Sequence, residues 1–295
     1  LEAIKFIQNV NFQVTSQFPG AMMIAEESTA WPKVTGPLSE EGLGFSLKWN
    51  MGWMHDNLSF FKQSSDYRKS HFDKMTFAML YHYDENFVLP LSHDEVVHIK
   101  GSLFEKMQGT ELQCLANLRL LFGCQWLFPG KKLLFMGGEI GQKNEWNHDC
   151  ELDWQLLRDS KFHRGLQDWI RDLNFFYRDQ AALWEADFER DGFQWVNCND
   201  REKLVLSFIR MNSNKSEQLL VMANLSENHY SEYRLEMTKL GTWEKVLDSN
   251  KSIYVGVDSG MNENIKITTQ PINKMNFSIS TSLAPFTLLV FRLVH

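Results

Sequence analysis

Residues 1–184 are predicted to form an α/β unit built on parallel strands, and residues 185–295 an all-β sandwich. Three observations carry this expectation. Before residue 185, short apolar runs ending in Glu, Asp or Gly alternate with helical patterns, the rhythm of β/α units. After it, strand-like runs follow one another, separated by Asn, Asp, Gly and Ser clusters. The composition, 43% apolar and 23% charged over 295 residues, suits one large or two ordinary globular domains and excludes a disordered chain.

In order along the chain, Leu1, Ile4 and Ile7 fall at helical spacing over residues 1–9. The Phe18-Pro19-Gly20 turn leads into AMMIAEES (21–28), read as a buried strand that stops at two glutamates. GFSLKWN (44–50) is a weaker strand that runs into MGWMHDNLSFF (51–61), where Trp53, Met54, Leu58 and Phe61 have helical spacing. FDKMTFAMLY (72–81) is expected to form a further helix, and NFVLPLSHDEVVH (86–98) a strand ending in a polar cluster. Leu112, Leu115, Leu118, Leu121 and Phe122 share one face of a long helix over 110–127. PGKKLLFMGGEIG (129–141) reads as turn, strand and glycine-rich exit, and residues 161–184 as a helix through Leu166, Trp169, Ile170, Leu173 and Phe176. These make four strand-then-helix units. The sandwich strands are FQWVNC, KLVLSFIR, QLLVMANL, SEYRLEM, WEKVL, ENIKI, NFSIS and PFTLLVFRL, with clean alternation in LVLSFIR and TLLVFRL. Neither a repeat nor a heptad pattern is visible.

Charge and composition narrow the partners. A formal charge of −7 opposes attraction to phosphate backbones and anionic lipid, so neither nucleic acid nor membrane is an expected partner and a neutral or cationic ligand fits better. The most apolar stretch, 120–135, is broken by Gly123, Gln125, Pro129, Gly130 and two lysines, well short of a membrane span. Cys114, Cys124, Cys150 and Cys198 have no metal-ligand spacing and are too few for a disulfide framework, so reduced thiols in a cytoplasmic protein are expected. The chain opens on Leu1 with an amphipathic segment and no leader, which reads as the middle of something longer.

Three strands finish in acids: Glu26 and Glu27 after MMIA, Asp94 and Glu95 after VLPLSH, and Glu139 after LLFMGG. In a barrel of parallel strands the reactive groups sit at the C-terminal strand ends. A partly desolvated carboxyl there is raised towards working pH and suits general acid catalysis, and paired carboxylates point to glycosyl transfer. The competing reading is of solvated loop acids or helix N-caps.

AEEST (25–29), KWNMGWMHD (48–56), LPLSHDEVVH (89–98), FPGKKLLFMGGEIGQKNEWNH (128–148) and ADFERDGFQW (186–195) resemble the 1,4-α-glucan (glycogen) branching enzymes of the α-amylase superfamily. AEE and SHDE are signals of that superfamily, whereas KWNMGWMHD after AEEST favours a branching enzyme. The resemblance implies that residues 1–184 are the C-terminal half (strands 5–8) of a catalytic (β/α)8 TIM barrel, and that residues 185–295 are the C-terminal β-sandwich domain. It implies cleavage of an α-1,4-glucosidic linkage and transfer of the segment to a 6-hydroxyl, without metal or organic cofactor. Glu26 would be the general acid/base, with Glu27 its rival, and Asp94 would bind donor-sugar hydroxyls with His93 as a hydrogen-bond donor. Trp49, Trp53 and Trp146 are candidates to stack on glucose rings, although a Trp at helical spacing is more often core. Glu139, Asn147, His148 and Asp149 are candidates for the acceptor side, against a loop held by its own hydrogen bonds, and Asp56 for a supporting role. The aspartate nucleophile of the resemblance lies in an F-R-x-D segment, and the only Phe-Arg pair here is Phe291-Arg292, within a sandwich strand. The chain is therefore expected to be a piece that is inactive alone, with an α-1,4-glucan and the missing N-terminal barrel half as partners. Two alternatives stand: a related α-glucan hydrolase or debranching enzyme, and a non-catalytic glucan-binding module.

Overall fold

The computed structural model describes residues 1–238, 240–256, 266–271 and 277–294. Helix α1 (Glu2–Gln17) runs on past residue 9, since nothing breaks it before Phe18-Pro19-Gly20. Strands β1 (Ile24–Ala25) and β2 (Leu47–Trp49) precede helices α2 (Met51–Phe61) and α3 (Ser65–Arg68). Strand β3 (Phe87–Leu91), helix α4 (Glu111–Leu127), strand β4 (Lys131–Leu134) and helices α5 (Gln155–Asp159) and α6 (Lys161–Asp179) follow. The strands pair in the order β1-β2-β3-β4 and every pair is parallel. All four C-terminal ends therefore open on one edge, where Glu26, Asn50, Ser92 and Phe135 follow the strands.

Local chemistry explains where the elements start and stop. Thr110 and Gln113 form a reciprocal capping box at the start of α4, and the Asn50 side chain accepts the Trp53 amide at 2.8 Å to cap α2. The strand expected over 21–28 pairs only at Ile24 and Ala25, because the Met23 carbonyl is taken by the Ser46 and Leu47 amides where the ladder begins. The helix expected over 72–81 is two 3-10 turns, Lys69–Met75 and Phe77–Leu80. They break at Thr76, whose hydroxyl donates to the Asp73 carbonyl at 3.1 Å and so competes with helical pairing. The helix expected over 161–184 stops at Asp179, where Gln180 is extended, and resumes only as the 3-10 turn Ala181–Leu183.

Among the described residues nine strands follow: β5 (Phe193–Asp200), β6 (Val205–Met211), β7 (Gln218–Asn224), β8 (Tyr230–Met237), β9 (Thr242–Asp248), β10 (Lys266–Thr268), β11 (Gln270–Pro271), β12 (Phe277–Leu283) and β13 (Thr287–Leu293). They form an antiparallel sheet in the order β10-β9-β13-β7-β6-β5 and a second in the order β11-β12-β8. Of the expected ENIKI strand, residues 263–265 lie outside the described residues, as does the first residue, 276, of NFSIS.

The central strands β6 and β7 of the larger sheet are buried on both faces. From β6, Val205, Ile209 and Met211 pack with Tyr233, Leu235 and Ile279 of the smaller sheet, while Leu206 and Phe208 join the core that holds Leu118, Phe122 and Trp169. Gly123 allows this approach, since a Cβ there would lie 3.0 Å from Leu288 of β13. The texture change at residue 185 is thus a change of topology, and one apolar core runs across it. A buried polar knot pins the same junction. Asp187 accepts from Arg210 at 2.7 Å, Lys131 at 2.8 Å and the Tyr177 hydroxyl at 3.1 Å.

Candidate active site

The two glutamates after β1 have different surroundings. Glu26 is exposed and makes no hydrogen bond or ion pair among the described residues. Glu27 lies 2.7 Å from the Lys48 ammonium and accepts the Thr29 amide at 2.7 Å. Lys48, on β2 with its side chain only 7% exposed, also donates to the Thr29 carbonyl at 3.0 Å. Burial alone would push the Glu27 carboxyl up, but the hydrogen bonds from Lys48 and Thr29 outweigh it and hold the group below its ordinary value. Glu27 is a committed carboxylate, a poor proton donor.

Past β3, the 3-10 turn His93–Glu95 carries the second cluster. His93 Nε2 lies 3.2 Å from Asp94 Oδ1, and both side chains are partly exposed, so His93 is not a core histidine. From His93 a row of rings continues to Phe135, centroids 5.9 Å apart, to Trp146 at 5.3 Å and on to His148 at 6.3 Å. Trp146 is half-buried and its amide donates to the Val96 carbonyl at 3.0 Å, tying the loop after β4 to the loop after β3. No hydrogen bond or ion pair links Glu26 to His93 or Asp94 among the described residues, and β2 stands between their strands.

The remaining candidates divide. Trp49 lines a cavity of about 610 Å³ together with Trp31, Asn50, Asp56, Tyr81 and Glu27. Trp53 does not: it is 2% exposed within the apolar core, so the expectation that it stacks on a sugar is corrected, and its helical spacing reports packing. Asp56 sits on α2 and pairs with Lys74 at 3.3 Å. Glu139 is half-buried, without a hydrogen-bond partner among the described residues. Asn147 accepts the Asp149 amide at 2.9 Å and Asp149 lies 3.3 Å from His148, which fits a loop held by its own bonds.

Lys48 and Tyr81, whose hydroxyl donates to Asn50 at 3.2 Å, are site residues that the sequence reading missed. The signal for Lys48 was its charge inside a strand flanked by apolar residues, which calls for a buried counter-ion. Among the described residues no group of three or more His, Cys, Asp and Glu could hold a metal ion, and no helix is long and apolar enough to cross a membrane.

A family model described as the alpha amylase C-terminal all-beta domain matches residues 195–294. The 1,4-alpha-glucan branching enzyme GlgB of Aquifex aeolicus is 46% identical over 99% of this chain and 46% of its own length. That of Aromatoleum aromaticum is 46% identical over 98% of this chain and 45% of its own. The chain thus spans somewhat under half the length of these relatives. Among solved structures, an alpha-amylase from H. orenii superposes with a TM-score of 0.63 at 13% identity, over 99% of this chain and 57% of that one. AmyP in complex with maltotriose gives 0.65 at 13% identity, over 99% and 62%. At that identity the structural likeness speaks for the fold alone.

Proposed function

We propose that this chain, a relative of the 1,4-alpha-glucan branching enzymes, carries the acid/base side of an α-glucan branching site. The observation that carries the assignment is the asymmetry after β1: Lys48 fixes Glu27 as a carboxylate while Glu26 is left unpaired. In this reading residues 1–184 are the C-terminal half of a catalytic (β/α)8 barrel and residues 185–295 its C-terminal sandwich domain. The sequential parallel order of β1 to β4 supports the first, and the family match over 195–294 the second.

The chemistry is a retaining double displacement on an α-1,4-glucan. Glu26 gives its proton to the glycosidic oxygen as the C1–O4 bond breaks and a carboxylate nucleophile takes C1. The acceptor 6-hydroxyl then attacks C1 as the bond from C1 to the nucleophile carboxylate breaks, and the hydroxyl proton passes to Glu26, leaving an α-1,6 branch. Asp94 holds donor-ring hydroxyls and faces the positive charge that develops at the ring, with His93 beside it. Trp49 and Trp146 offer flat apolar faces to glucose rings. The sequence contains no F-R-x-D segment, so no residue here is given the nucleophile's role.

The test is to replace the matching part of a full-length relative with this chain and to follow iodine-stained amylose and the chain lengths released by debranching. Branching by the hybrid is expected, and Glu26→Gln is expected to lower kcat by about 10²–10⁴-fold. Near-normal turnover by that variant would refute the assignment. New reducing ends without branches would point to hydrolysis, and glucan binding without turnover to a binding module.

A further inference from the structure

The loop that leaves the His93–Glu95 turn is held between two opposite charges. Lys106, 4% exposed, donates from Nζ to the carbonyls of Glu95, Lys100 and Gly101 at 2.5, 2.7 and 2.9 Å. From the other side Glu145 accepts the amides of Ile99 at 3.1 Å and Gly101 at 2.8 Å. An ammonium has three donors and no acceptor, and a carboxylate only acceptors, so each side chain takes the backbone groups that the other cannot. Between them the chain adopts a conformation that it would not hold unaided: His98 and Ile99 are left-handed at φ of 59° and 67°. A β-branched residue in that region is a genuine outlier, and such geometry persists only where the surroundings enforce it. Ile99 is 99% exposed, so no packing enforces it.

We propose that Lys106 and Glu145 are positioning residues that clamp the loop over 95–101 and thereby fix the turn carrying Asp94. The link is short: the Glu95 carbonyl held by Lys106 belongs to the residue after Asp94, and Val96 closes the turn through the His93 carbonyl at 2.9 Å. Glu145 also precedes Trp146, whose amide holds Val96, so the clamp joins the loops after β3 and β4. The catalytic half of the proposal rests on the reading of Asp94 given above, whereas the clamp itself does not.

Two measurements separate these. In the 295-residue chain, Lys106→Met and Glu145→Ala are each expected to speed amide exchange at Ile99 and Gly101 by at least about tenfold, with α4 unchanged. Glu145→Gln, which keeps an acceptor oxygen, is expected to fall between Ala and wild type. In the full-length hybrid, both clamp variants are expected to lower kcat by about tenfold or more with KM little changed, since alignment in the transition state is lost rather than ground-state binding. Unaltered exchange would overturn the clamp whether or not the hybrid turns over. An inactivating Asp94→Asn beside unchanged kcat in the clamp variants would overturn the positioning role. An Asp94→Asn variant of normal activity would remove the functional reading together with the catalytic half of the proposal.

Discussion

Asp187→Asn is the sharpest probe of how the two halves are joined. The carboxylate and the Arg210 guanidinium are both 0% exposed, 2.7 Å apart, and Lys131 makes a second ion pair at 2.8 Å. Burial alone would push the Asp187 carboxyl up, but Arg210, Lys132 and Lys131 more than offset it and hold the group below its ordinary value. The amide keeps the shape and one acceptor but leaves Arg210 buried without a counter-charge. Removing one member of a buried pair costs about 3–5 kcal/mol. At about 2 °C per kcal/mol for a chain this size, Tm is expected to fall by about 6–10 °C in a single transition, because Asp187 ties β4, through Lys131, to β6, through Arg210, across residue 185. Since the folded carboxyl titrates below its unfolded value of 3.8, its contribution is complete above that pH and is lost as pH falls through the folded value. The variant should therefore differ from wild type at neutral pH and converge with it in strong acid. Urea titration and thermal melts by circular dichroism measure both effects. A loss under about 1 kcal/mol, or two separated transitions in wild type, would refute the reasoning.

Two further outcomes follow from groups at the same junctions. His82 is buried and its Nε2 lies 3.1 Å from the Asp187 carbonyl; burial pushes its imidazole from 6.5 down to about 4. The unfolded chain takes up that proton first, so stability is expected to fall by about 3 kcal/mol between pH 6.5 and 4, and denaturant titrations of His82→Asn should show a flatter profile. In α6, a Cβ on Gly165 would meet the Tyr254 backbone and Val255 at 2.8 Å. The helix gain of about 1 kcal/mol is then outweighed by overpacking of about 1–3 kcal/mol, and Gly165→Ala should lower Tm; a rise would contradict it.

What the sequence made legible was what local physics decides. Helix α2 fell on the residues expected because its spacing and its Asn50 cap are both local, and β3 and α4 were found for the same reason. The misread elements, β1 and the 72–81 turns, are those where one hydroxyl or one carbonyl diverts the backbone. The sandwich strands formed, and what the sequence left hidden was their burial. LVLSFIR alternates cleanly, yet every residue of β6 is buried, and its polar positions Ser207 and Arg210 are 0% exposed. Arg210 finds its counter-charge in Asp187, which lies 23 positions away, and no periodicity reports a partner at that separation. Lys48, between Leu47 and Trp49, and Lys106 repeat the pattern: each is a buried cation whose partner, Glu27 or a set of loop carbonyls, becomes visible only once strands and loops are assembled. A buried cation is costly unless fully bonded, so its occurrence in an apolar run predicts a partner even where it cannot name one. Glu26 and Glu27 differ for the same reason: the sequence shows two adjacent acids, and the lysine one strand away pairs with the second of them.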